Sequence, residues 1–152
     1  MTIRAVSIEM TKNYFDVDTF LNQGAIELKR AERYRVFVSL ILLDLSFVHE
    51  MFGDRTREVM ETIIELARSH IRGSDMISSL DGSIALIFPE TPRQGAEVTS
   101  RRLSEMIRQK LSEMLKRDIG EIIPLEIASY PDTAGARTLS EFLDELANKH
   151  RN

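Results

Sequence analysis

The spacing of hydrophobic residues changes repeatedly between the helical and the strand period along this chain. Behind Asp16 and Asp18, two candidate N-caps, apolar positions recur at helical spacing and predict a first helix that ends near Tyr34. Residues 36–43 then form a nearly continuous apolar run rich in branched side chains, which is typical of a central strand covered on both faces. This predicted strand carries Asp44 at or near its C-terminal end.

A second helix and a hairpin follow in the pattern. The helix opens at Gly53 and carries an apolar stripe at helical spacing. Residues 76–80 and 83–88 read as two short strands separated only by Asp81 and Gly82. Both turn residues can adopt the positive φ angles of a type I′ turn, so the pair is a strong hairpin signal.

The third predicted helix has a marked beginning. Thr91 is placed as its N-cap, Pro92 as its first residue and Gln94 as the partner in a capping box. Leucine and isoleucine then recur every four residues, so we expect the helix to run to about Arg117.

The last two elements are a strand and a helix. Residues 123–128 alternate between apolar and other side chains, and Pro124 places them at an edge, a bulge or the beginning of a strand, because proline cannot donate to a ladder. Thr138 and Glu141 form a second capping box that opens the final helix.

The predicted order is therefore a helix, then β-α-β-β-α-β, then a helix. The six middle elements match the split βαβ arrangement of the ferredoxin-like fold, an α+β class with an antiparallel central sheet, helices packed on it and extra terminal helices. This topology brings Asp44 close to the turn at Asp81 and Gly82. We expect one domain over 1–152, with 1–12 irregular or an extra strand.

Composition narrows the function further. The chain has 152 residues, no cysteine and a net charge of −4. The lack of cysteine excludes a disulfide scaffold, a thiolate metal site and a cysteine nucleophile. The acidic balance disfavours a nucleic-acid binder, and no apolar run is long enough for a signal peptide or membrane insertion. We therefore expect a cytoplasmic protein.

Six short phrases occur in a fixed order along the chain. They are NYF at 13–15 with ELKRAERY at 27–34, LLDLSF at 42–47, FGD at 52–54, RGSD at 72–75, ALIFPET at 85–91 and IASYPD at 127–132. In this order they resemble the GGDEF domain, the family of diguanylate cyclases, from about residue 13 to residue 146. The resemblance implies the palm fold of nucleotide cyclases.

Several residues depart from the family pattern. Family enzymes join two GTP molecules into cyclic di-GMP, and their carboxylates hold two magnesium ions on the triphosphate. Asp44 keeps the first metal position, whereas Ser46 stands at the second strand-end position. The signature hairpin reads Leu80-Asp81-Gly82-Ser83-Ile84. Aligned on the following strand, Ser83 takes the place of the metal-binding glutamate, and Asp81 fits either of two signature positions.

A further departure concerns nucleotide recognition. The segment between Asp44 and Phe52 is about three residues shorter than the family pattern, and the asparagine that reads guanine in the family has no counterpart there. We therefore expect no catalytic residues and no magnesium. Asp44 is a vestigial metal position, and Asp81, Gly82 and Ser83 are a vestigial signature hairpin.

Arg72 and Asp75 are the remaining candidate ligand site. The resemblance implies that such a pair, just before the signature, binds cyclic di-GMP as an inhibitory site. An arginine can grip a phosphate or stack on guanine, and an aspartate can accept from a guanine edge. The structural alternative is that Arg72 ends a helix, where a cation is favoured, and that Asp75 begins a strand after a turn.

Other polar features favour ordinary structural roles. His49, His70 and His150 have no metal-binding spacing. Arg101 and Arg102 belong to a charged run interleaved with glutamates, which is typical of a solvated helix face.

Three functions remain after this comparison. The favoured one is a catalytically inactive GGDEF-like module that binds another signalling protein, and the family analogy also allows a homodimer. The alternative is a cyclic di-GMP receptor that uses Arg72 and Asp75. A residual nucleotide cyclase ranks last. No cofactor is expected, with cyclic di-GMP as the one candidate ligand.

Overall fold

The computed structural model describes residues 13–120, 123–131 and 138–151, and the expectation for 1–12 lies outside them. Within this part of the chain, four strands form one antiparallel sheet and five α-helices surround it. The elements in chain order are α1 Val17–Tyr34, β1 Val38–Asp44, α2 Phe47–Phe52, a 3-10 turn Gly53–Arg55, α3 Thr56–Arg68, β2 Met76–Leu80, β3 Ser83–Pro89, α4 Arg93–Leu115, β4 Leu125–Tyr130 and α5 Leu139–Arg151.

The sheet has the order β2-β3-β1-β4, which confirms the ferredoxin-like arrangement and the α+β class. β1 lies between β3 and β4, so the continuous apolar run does form a central strand. Its register is fixed on both sides, with Leu40 opposite Ile87 on β3 and Ala128 on β4.

Helices cover both faces of the sheet because its side chains alternate between two hydrophobic cores. On β1, Ile41 and Leu43 belong to the core beneath α3 and α4. Leu40 points to the opposite core, where Phe20 of α1 and Phe142 of α5 are buried. Full burial of each such side chain contributes about 1.5–3 kcal/mol to the stability of the fold. Each helix therefore packs on the sheet face that presents these apolar side chains to it.

The second helix does not open at Gly53, as the sequence predicted. Phe47–Phe52 forms a separate short helix, and Gly53 adopts a φ of 53° that an α-helix cannot continue through. A 3-10 turn follows, and α3 begins only at Thr56, whose Oγ1 donates to the Gly53 carbonyl at 2.6 Å. α3 then ends at Arg68, so the prediction that Arg72 ends a helix is also wrong.

The predicted capping box at Thr91 is wrong as well. α4 begins at Arg93 with Pro92 in the N-cap position. The Thr91 hydroxyl instead donates to the Pro89 carbonyl at 3.0 Å and accepts from Arg72 at 2.6 Å. The Thr91 hydroxyl therefore binds Arg72, which is distant in sequence, and does not cap the helix as the local pattern predicted.

The second capping box is confirmed. Glu141 Oε1 accepts from the Thr138 backbone N–H at 2.8 Å, and Thr138 Oγ1 accepts from the Glu141 N–H at 3.1 Å. α1 also ends at Tyr34 as expected, with Arg35 in the left-handed conformation. Among the described residues no helix combines the length and apolarity needed to cross a membrane.

Candidate functional site

The hairpin between β2 and β3 meets the end of β1, as the topology predicted. Asp44 lies opposite Ser83 across the β1–β3 ladder. Asp81 and Gly82 have φ angles of 45° and 80°, as a type I′ turn requires. The Leu45 N–H donates to the Gly82 carbonyl at 3.0 Å and joins this turn to the chain just after Asp44.

The Asp44 carboxylate is already engaged by its own loop. Its Oδ1 accepts from the Ser46 backbone N–H at 3.0 Å, and hydrogen bonds from Ser46 lower the pKa of Asp44, with Lys149 adding a smaller electrostatic effect. Across the described residues, no group of three or more histidine, cysteine or acidic side chains is placed to hold a metal ion.

A second feature is a cleft of about 240 Å³ between the connection after α3, the end of β3 and the first half of α4. Its floor includes Phe88. The polar side chains along it are His70, Arg72, Asp75, Thr91, Thr99 and Arg102. The structure therefore places the predicted pair Arg72 and Asp75 in a concave surface.

Arg72 is fixed on one side and exposed on the other. Its Nη2 donates to Asp75 Oδ1 at 3.1 Å, to the Pro89 carbonyl at 2.9 Å and to Thr91 Oγ1 at 2.6 Å. The Arg72 side chain is nevertheless 57% exposed, whereas the Asp75 side chain is 5% exposed. The guanidinium is thus held at the cleft with a free face, a geometry that suits phosphate binding or stacking.

Asp75 acts mainly on Arg72 and its turn. Its Oδ2 accepts from the Arg72 backbone N–H at 2.8 Å, while Oδ1 accepts from the side chain. Asn13 closes the same turn, because its Nδ2 donates to the carbonyls of Gly73 and Asp75, both at 2.9 Å. The turn that carries Arg72 is therefore cross-linked by polar contacts.

The sheet also holds the cleft. Ser39 on β1 is fully buried, and its hydroxyl donates to the Thr91 carbonyl at 2.8 Å. Its oxygen lies 2.7 Å from the hydroxyl of Ser129 on β4. Thr91 in turn contacts Arg72, so a chain of hydrogen bonds connects the two strands to the cleft.

Comparison with known proteins decides the fold. No family model matches the chain, and no curated protein matches it. The active GGEEF domain of a diguanylate cyclase from Vibrio cholerae is 23% identical over 76% of this chain and 75% of that chain, with a TM-score of 0.53. The GGDEF domain of DgcB from Caulobacter crescentus, solved with c-di-GMP, is 14% identical over 88% and 81%, with a TM-score of 0.63. This chain has the GGDEF fold.

A third similar structure is the diguanylate cyclase SiaD from Pseudomonas aeruginosa, solved in complex with its activator SiaC. It is 17% identical, with a TM-score of 0.63, and the alignment covers 99% of this chain and 63% of SiaD. The chain thus spans less than two thirds of SiaD. At these identities the likeness supports the GGDEF fold, while the chemistry must come from this chain's own residues.

Sequence reasoning missed two cleft residues of this GGDEF-like domain. Arg102 was assigned to a solvated helix face, yet it lines the cleft, whereas the adjacent Arg101 does not. His70 also lines it, from the connection after α3. Helical periodicity separates buried from exposed positions, but it does not tell which exposed position faces a neighbouring turn.

The other histidines lie at separate places in the GGDEF-like fold. His49 belongs to α2 and its Nδ1 is 3.5 Å from Thr56 Oγ1. His150 belongs to α5, where its Nε2 is 3.5 Å from Asp18 Oδ1. His70 is the histidine found in the cleft.

Proposed function

We propose that this chain is a catalytically inactive signalling module with the GGDEF fold. The proposal that the chain is inactive rests on the residues where the hairpin meets the end of β1. There Asp44 has Ser46 and Ser83 at the neighbouring positions. One carboxylate that already accepts from a backbone N–H, beside two serines, does not fit the pair of magnesium ions that the resemblance implies. Such ions in phosphoryl transfer need carboxylates together with the substrate phosphates.

Incubation with GTP and magnesium tests the inactivity. We expect no cyclic di-GMP above a protein-free blank, with an active diguanylate cyclase as positive control and chromatography as the readout. Product that forms with the wild type and disappears with Asp44→Ala would overturn the proposal, because Asp44 would then serve as a metal ligand.

The geometry best supports a binding role at the cleft, with cyclic di-GMP as ligand. Arg72 and Arg102 both line this concave surface, and a guanidinium group can pair with a phosphodiester or stack on a guanine base. Because Asp75 is buried and bonded to Arg72, its role here is to position that arginine. DgcB with bound c-di-GMP shows that a domain of this fold can take the ligand.

Calorimetric titration with cyclic di-GMP separates this role from a purely structural one. We expect micromolar binding by the wild type, a loss of at least about tenfold in Arg72→Ala and Arg102→Ala, and no change in Arg101→Ala, the matched control on the same helix. Thermal unfolding of each variant checks that the fold is retained. Wild-type protein that does not bind at high micromolar ligand would refute the receptor role.

A protein partner is the second candidate. SiaD was solved with an activator protein bound, and nearly the whole of this chain aligns with it. In this chain Tyr34, the last residue of α1, is 63% exposed, and Phe37, in the connection to β1, is 45% exposed. Aromatic side chains are enriched at protein interfaces.

Affinity capture from the native cell tests this candidate. Wild-type bait and a Tyr34→Ser/Phe37→Ser bait are compared by mass spectrometry, with Ile26→Ser, another exposed apolar position, as control. We expect a signalling protein that the wild type and the control retain and the double variant loses. Identical retention by all three baits would refute a contact through these aromatics.

A further inference from the structure

His70 lies in the cleft beside two arginines. It follows the end of α3, in the connection that leads to the Arg72 turn, and it lines the same 240 Å³ space as Arg72 and Arg102. Histidine is the side chain whose charge normally changes between about pH 5 and pH 8. A histidine at this place can therefore change the charge of the cleft.

The hydrogen bonds of the imidazole determine which nitrogen titrates. Nδ1 lies 2.9 Å from the Leu66 carbonyl, which can only accept, so Nδ1 carries a hydrogen in that contact. Nε2 makes no hydrogen bond with a described residue. Uptake of a proton thus occurs at Nε2, which converts that atom from an acceptor into a charged donor.

The charged side chains around His70 determine how its protonation changes the net charge along the cleft. On α3, Glu65 pairs with Arg68 at 2.6 Å, and in the turn Asp75 pairs with Arg72. Arg102 of α4 is the remaining charged side chain that lines the cleft. A protonated His70 therefore raises the net charge along the cleft from about +1 to about +2, which complements the two phosphodiesters of cyclic di-GMP.

We propose that His70 is a ligand-binding residue of this cleft and takes up a proton when an anionic phosphodiester ligand binds. The inference rests on the proposed receptor function and adds a pH dependence to it. A bound phosphodiester places negative charge in the space that His70 lines, which favours the charged form of the imidazole. Binding and proton uptake are therefore linked, and affinity increases as the pH falls.

Titration of the protein with cyclic di-GMP at about pH 5.5 and about pH 8 tests this linkage. The ligand's phosphodiesters keep their charge across this range, so the ligand itself contributes no pH dependence. We expect about five- to tenfold tighter binding at the lower pH for the wild type and for His49→Gln, the matched control outside the cleft. His70→Gln should bind equally at both pH values, close to the weaker wild-type affinity.

Repeating the wild-type titration in buffers of different ionisation enthalpy measures the proton uptake directly. Equal affinity at both pH values, or pH dependence that persists in His70→Gln, overturns the role of His70 and leaves the receptor function standing. A wild type that binds at neither pH overturns the receptor function, and the inference with it. Thermal unfolding of His70→Gln confirms that the comparison is made between folded proteins.

Discussion

Removing the hydroxyl of Ser39 tests how the sheet supports the cleft. Ser39 and Ser129 are 0% and 2% exposed, so their hydroxyls must find protein partners. The Ser39 hydrogen is directed at the Thr91 carbonyl, which can only accept. The 2.7 Å contact between the two serines therefore has Ser129 as donor and Ser39 as acceptor.

This direction predicts unequal costs for two similar substitutions. Ser39→Ala leaves the buried Ser129 hydroxyl without an acceptor, which costs about 1–3 kcal/mol, and also removes the hydrogen bond to the part-buried Thr91 carbonyl. We expect a loss of about 2–4 kcal/mol in the free energy of unfolding. Ser129→Ala leaves Ser39 still bonded to Thr91, so it should cost only the net value of one hydrogen bond, about 0.5–1.5 kcal/mol.

The double variant Ser39→Ala/Ser129→Ala completes a thermodynamic cycle. It removes the orphaned Ser129 hydroxyl and should be more stable than Ser39→Ala alone, with a value between the two single variants. Urea unfolding followed by circular dichroism measures all four proteins, and an unchanged m-value shows that the same transition is compared. Equal losses in the two single variants, or a double variant less stable than Ser39→Ala, would refute the assigned direction.

Three other predictions follow from single contacts. Ser78→Ala should raise the unfolding free energy by about 1 kcal/mol, because the buried Ser78 hydroxyl has no partner among the described residues; a lower stability in urea would contradict this. Gly82→Ala should lower the unfolding free energy by about 1–2 kcal/mol in the same assay, because Gly82 has a φ of 80° and an added Cβ would lie 3.4 Å from Ser46 Cα. A variant with unchanged stability would argue against this turn geometry. Because the pKa of Asp44 is lower in the folded than in the unfolded protein, its ionisation contributes stability that is present above the unfolded-state pKa and is lost as the pH falls through the folded-state pKa. Asp44→Asn should therefore lose less stability than the wild type between about pH 6 and pH 3. Parallel losses in the two proteins would show that Ser46 does not hold the carboxylate.

The candidate site was predictable in part. Local turn chemistry and strand order placed Asp44, Gly82 and Ser83 together, because a two-residue turn fixes the register of a hairpin and the βαββαβ order fixes its neighbour. Arg72 and Asp75 were selected instead by the resemblance to the GGDEF family. Neither argument found Arg102, because nothing in the sequence of α4 or of the Arg72 turn indicates that this helix face lies close to a turn 30 residues earlier in the chain.

The sequence by itself determined the order of the strands, the central position of β1 and the ferredoxin-like arrangement, because these follow from hydrophobic periods and turn residues that act over a few positions. Tertiary structure alone decided the role of Thr91, which the sequence assigned to a helix cap. Its hydroxyl is held by Arg72 and its carbonyl by Ser39, two residues far from it in sequence. A short polar side chain near a helix end has several partners within reach, and only the packing of the strands and the turn selects among them.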